Sequence, residues 1–122
     1  MGVIMRIRTK RIYDDSSSND GYRVLVDRLW PRGIKKADAD LDEWAKELAP
    51  SEELRKWYEH DPGKWPEFHN RYMKELAEKK KRISDLIDRI PGRTITLLFA
   101  AKDAEHNNAV VFKEYMEKLS PK

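Results

Sequence analysis

The chain has 122 residues, 25 of them Lys or Arg and 22 Asp or Glu, for a formal charge of +3, with hydrophobic and charged residues each at 39%. Periodic apolar segments at that composition imply one heavily solvated folded domain over residues 1–122 rather than disorder, and so small a charge excess is weak evidence for nucleic acid. With no cysteine, disulfides, thiolate nucleophiles and cysteine-ligated zinc or iron–sulfur centres are excluded.

Residues 1–6 lack the apolar stretch of a signal peptide, and no segment approaches transmembrane length. A cytoplasmic location without membrane association is therefore expected. Residues 3–8 alternate apolar and basic side chains, which predicts a strand. Residues 14–21 contain Ser16-Ser17-Ser18-Asn19-Asp20 and read as a polar loop, tight for a parallel crossover. Residues 22–27 follow as a strand, whose Val24-Leu25-Val26 run suits burial on both faces. It must end before Pro31.

Residues 41–48 fit two periods. Leu41, Trp44, Ala45 and Leu48 share a helical face, whereas Trp44, Lys46 and Leu48 alternate as in a strand; periodicity favours the helix. Ser51 is placed to cap a helix carrying Leu54, Trp57 and Tyr58, which Asp61-Pro62-Gly63 stops. A second helix starts near Pro66, and Lys79-Lys80-Lys81-Arg82 interrupts its apolar face, predicting that the helix kinks or projects there. Residues 94–100 form the best strand, and residues 103–119 a last helix buried through Ala109, Phe112, Met116 and Leu119. The expected fold is α/β: a single compact three-layer domain, with a small, mostly parallel sheet flanked by helices on both faces. The strands over residues 22–27 and 94–100 are expected at its centre.

Two strands share one grammar, an apolar run followed by polar groups. The first ends in Asp27, Arg28 and Arg32, the second in Lys102, Asp103, Asn107 and Asn108. In parallel α/β sheets, ligands bind at the carboxyl ends of strands and near helix N-termini. Arg28, Arg32, Lys102 and Asn107 are therefore candidate ligand-binding residues for a phosphate or carboxylate, with guanidinium forks as the main anchors. Asp27 is the candidate acid/base or nucleophile if the site turns over. It is expected to contact Arg23, Arg28 or Arg32, because a carboxylate at a buried strand end needs a partner. A structural reading stands beside this one, with Asp27 and Arg28 paired internally, Arg32 solvated and Trp30 plugging a core rim. His60-Asp61 has the chemistry of acid/base machinery, but a helix C-terminus attracts a histidine electrostatically without catalysis, and that reading is preferred. His69 and His106 are too scattered to suggest a metal site, and no dinucleotide or phosphate-loop motif points to a cofactor.

Several segments together resemble a known family: Lys10-Arg11-Ile12-Tyr13-Asp14; the run from Asp20 through Asp27-Arg28-Leu29-Trp30-Pro31-Arg32-Gly33; Ala49-Pro50-Ser51 with Leu54-Arg55; Phe68 with Arg71-Tyr72; and Thr96-Leu97-Leu98 followed by Ala101-Lys102 and Asn107. They are similar to the YeaO-like proteins, domain-of-unknown-function family 488. The resemblance spans nearly the whole chain. It implies a compact α/β domain and replaces the helical reading of residues 44–48 with a third strand. Longer relatives carry a glutamate and a Cys-His-Arg triplet after the last strand. This chain has Lys102 and Asn107-Asn108-Ala109 in that region, so the resemblance implies no thiol or histidine chemistry here.

The function expected is binding of a phosphorylated or nucleotide-like anionic small molecule at the strand ends, with or without turnover. The alternatives are a nucleic-acid-binding module using Lys79 to Arg82, or a partner-binding protein anchored on Trp57 or Trp65.

Overall fold

The apolar runs around Val24 and Leu97 form the two inner strands of a four-stranded sheet in the computed structural model, which describes residues 5–119. Strands β1 (Arg6–Arg11), β2 (Tyr22–Leu25), β3 (Glu43–Trp44) and β4 (Thr94–Phe99) lie in the order β1-β4-β2-β3, every neighbouring pair parallel. The α/β class and the central placement of β2 and β4 agree with the sequence. β1 begins later than expected and extends to Arg11, because its pairing with β4 continues through Lys10↔Leu98 and Arg11↔Phe99. Residues 3 and 4 lie outside the described residues.

The alternation of β2 and β4 divides the core. Val24, Val26, Ile95, Leu97 and Phe99 face one side, where the α-helices of the described residues pack: α1 (Glu52–Tyr58), α2 (Trp65–Glu78), α3 (Lys80–Arg89) and α4 (Asn108–Leu119). Leu25 and Leu98 face the other side, under Ile12, Trp30, Ile34, Ala39 and Leu41. The third layer is therefore a long loop with a 3-10 turn at Lys36–Asp38, and the expected helices on this face are absent from the described residues. Pro31 and Gly33 interrupt that segment, so its apolar residues cover the sheet without joining one helical stripe.

Residues 12–21 cross the same face in a tight link ending in a 3-10 turn at Ser18–Asp20. Gly21 makes the turn possible. Its φ is +66°, and a Cβ there would meet the Thr94 carbonyl oxygen at 2.3 Å. Asp20 is fully buried in this link. Arg23 reaches it at 2.5 Å and Lys10 at 3.2 Å, while Thr96 Oγ1 donates to its carbonyl at 2.7 Å. Arg23 is thereby committed to Asp20, and also donates to the carbonyls of Asp40 and Ala39.

Residues 41–48 contain neither a full helix nor a full strand. β3 is two residues long, pairs with Val24 and Leu25, and gives way to a 3-10 turn at Lys46–Leu48. Ser51 caps α1 as expected, its Oγ accepting from the Leu54 N–H at 3.2 Å. The helix stops in consecutive left-handed residues, Glu59 and His60. The interruption at Lys79 separates α2 from α3. α4 starts at Asn108, later than expected, because Asp103 Oδ1 draws the N–H groups of Glu105 and His106 into a separate turn.

Candidate anion-binding site

Parallel pairing brings the carboxyl ends of β2 and β4 side by side, with the Val26 N–H donating to the Leu98 carbonyl at 3.0 Å. Asp27 therefore emerges beside Ala100. Its Oδ2 accepts from the Ala100 N–H at 2.9 Å, and its Oδ1 from Asn108 Nδ2 at 3.0 Å. The expected arginine contact is not made: Arg23 is taken by Asp20, and Arg28 Nε donates to the Pro50 carbonyl at 2.9 Å. The adjacent strand and the start of α4 supply nearer donors. Burial raises the Asp27 carboxyl above its ordinary value, although the bonds from Asn108 and Ala100 and the charge of His60 pull the other way.

Beyond Asp27 opens a cavity of about 620 Å³ between the strand ends, α1 and the loop after β2. Asp27 and Asn108 line it together with four basic side chains, Arg28, Arg32, Arg55 and Lys56. Among the described residues Glu59 is the other acidic lining residue, so there cationic groups outnumber carboxylates two to one. Arg55 Nε is buried without a hydrogen-bond partner among the described residues. A buried guanidinium donor left unused is uncommon and is suited to an acceptor arriving from the cavity.

Two of the expected cationic anchors, Arg28 and Arg32, are thus brought together. Lys102 is exposed and does not line the cavity. Asn107 does line it, but its amide is spent on the chain: Nδ2 donates to the Asp103 carbonyl at 2.9 Å and Oδ1 accepts from the Val110 N–H at 3.1 Å. It caps α4, while its neighbour Asn108 reaches Asp27. Arg55, Lys56 and His60 were not identified from the sequence as site residues. Leu54 and Tyr58, buried in α1, carry the legible signal; the side of the helix facing the strand ends depends on tertiary packing.

The remaining candidates have local roles. Trp30 Nε1 donates to the Ile34 carbonyl at 2.6 Å and its ring meets Trp44 edge-on, as a core-rim plug does. Trp57 lies against both Arg71 and Lys64, and Trp65 packs with Tyr58 and Phe68. The Lys79-to-Arg82 run straddles the α2–α3 break, with Lys79 donating to the Glu47 carbonyl and Lys81 reaching Asp85 at 3.8 Å. His69 pairs with Glu114 and His106 with Asp103. Among the described residues no three potential metal-ligating side chains converge.

A family model described as the inactive DUF488-N3 subclade matches residues 6–121. "Uncharacterized protein YeaO" of Escherichia coli (strain K12) is 45% identical over 115 residues, covering 94% of this chain and 100% of the relative. "Uncharacterized protein Rv3073c" of Mycobacterium tuberculosis (strain ATCC 25618 / H37Rv) is 38% identical over 112 residues, 91% of this chain and 93% of the relative. No solved structure matches. With the parallel sheet and the Asp27-to-Gly33 segment at its carboxyl edge, these matches establish that the chain belongs to the YeaO-like DUF488 family.

Proposed function

We propose that the cavity binds a phosphorylated or nucleotide-like anionic small molecule, held by Arg28, Arg32 and Arg55. The observation that carries this reading is the buried Nε of Arg55, without a partner among the described residues, on a side chain lining a cavity where the described basic groups outnumber the acidic ones. The location supports it as well, since parallel α/β sheets present ligands at the carboxyl ends of their strands. Binding without turnover is favoured. The matched subclade is described as inactive, and both oxygens of Asp27 are engaged by Ala100 and Asn108. Asp27 then shapes the site's floor rather than acting as a nucleophile. A cytoplasmic setting, where phosphorylated metabolites are abundant, accords with this role; no helix among the described residues is long and apolar enough to cross a membrane.

The test is thermal melting with inorganic phosphate and with phosphorylated small molecules. A ligand that binds only the native state raises the melting temperature by mass action. The rise should disappear in Arg32→Ala with little loss of fold, because Arg32 is exposed. No rise with any phosphorylated compound at millimolar concentration overturns the proposal.

A further inference from the structure

Tyr13 and Leu29 are the large hydrophobic residues left exposed among the described residues, at 43% and 56%, and both line the same cavity as the arginines. Exposed apolar groups gathered at one concave site mark it for an apolar partner. Tyr13 is also fixed in place. Its hydroxyl donates to the Arg32 carbonyl at 2.8 Å, and the Arg11 guanidinium lies over its ring, 4.8 Å from the centroid. Arg11 is itself anchored, donating to the carbonyls of Ala101 at 2.9 Å and Ala100 at 3.2 Å. The N–H of Ala100 holds Asp27. The ring, the Arg32 backbone and the cavity floor therefore form one connected frame, and an aromatic surface braced in advance loses little freedom when it is covered.

Resting on the anion-binding reading above, we infer that the ligand carries a planar ring beside its phosphate: a free mononucleotide, its base on Tyr13 and Leu29 and its phosphate at Arg28, Arg32 and Arg55. The cavity, at about 620 Å³, lies within the size range of sites for organic ligands. A cation cluster alone accounts for a phosphate; it does not account for an aromatic ring and a leucine held open beside it. Stacking uses the π-face that every base has, so the inference names the class and not one base.

Calorimetric titration of AMP, UMP, ribose 5-phosphate, inorganic phosphate and a 5′-phosphorylated trinucleotide separates the possibilities. AMP and UMP should bind about tenfold more tightly than ribose 5-phosphate, the margin expected of one stacked base. Tyr13→Ser should remove that margin, read as the ratio of AMP to ribose 5-phosphate affinity, and Tyr13→Phe, which keeps the ring without the bond to Arg32, should preserve it. Equal affinity for AMP and ribose 5-phosphate, or undiminished AMP binding by Tyr13→Ser, overturns the base subsite and leaves the anion site standing. Tighter binding of the trinucleotide than of AMP assigns the site to a strand end and overturns the free mononucleotide. If neither phosphate nor any phosphate ester binds, the anion-binding reading itself fails.

Discussion

Asn108 and Asp27 meet side chain to side chain at the mouth of the sheet, the Asn108 amide nitrogen donating to the carboxylate at 3.0 Å and to the Val26 carbonyl at 2.8 Å. One residue at the start of α4 thereby satisfies two acceptors at the end of β2, across 81 positions of sequence. Asn108→Ala leaves both acceptors without this donor at a partly buried site. The expected loss is about 1–3 kcal/mol of unfolding free energy, measured by urea denaturation. An unchanged midpoint would show that water replaces the amide fully.

Asp27 should leave a mark on the pH dependence of stability. Burial raises its carboxyl in the folded protein above the ordinary value, despite the donors Asn108 and Ala100 and the charge of His60. The native state then holds the proton more tightly than the unfolded chain. The associated stability is fully present below the unfolded pKa and is lost as pH rises through the folded one. Asp27→Asn lacks this titration, so its melting temperature relative to the parent protein should improve as pH rises through that window. A difference independent of pH would mean that the carboxyl titrates alike in both states.

Asp20 has the opposite sign. Burial opposes its ionisation, but the Ser17 N–H, Lys10 and Arg23 outweigh that effect and lower its pKa. Its contribution is present above the unfolded pKa and is lost as pH falls through the folded value. Asp20→Ala strands Arg23, whose side chain is itself 6% exposed, and should cost about 3–5 kcal/mol at neutral pH. Comparing Asp20→Asn with the parent protein by denaturant titration, the stability gap should narrow toward acid. A gap that widens there would contradict the lowered pKa.

Arg55 should separate stability from binding. Its buried Nε has no partner among the described residues, so Arg55→Met removes an unsatisfied donor while keeping much of the side chain's length. The variant should match or exceed the parent's stability by about 1 kcal/mol and lose the phosphate-induced rise in melting temperature. Marked destabilisation of the unliganded variant would assign Arg55 a structural role instead.

Much of the fold was legible because its signals are local. Val24 to Val26 and Leu97 to Phe99 are apolar on both faces, as inner parallel strands must be; Ser51 caps α1; and the basic run at Lys79 breaks one long apolar face into α2 and α3. Each signal lies within one element or one turn of it. Arg28 and Arg32 were legible as site candidates for the same reason, since they follow a buried strand directly.

Contacts between elements were not legible. Asp20 lies in a segment that reads only as a polar loop; it is buried beside Lys10 and Arg23, which approach from β1 and β2, strands separated in the sheet by β4. Asp27 meets a backbone N–H 73 residues away instead of a neighbouring arginine, and Arg55 joins the site because α1 packs beside the strand ends while Lys102 remains outside. Residue pattern and capping determined which segments became strands and helices, because those preferences act over a few neighbouring positions. The tertiary structure alone decided which charges were buried, paired or left open to a ligand, because desolvation and hydrogen bonding depend on what strand order and packing bring alongside each group.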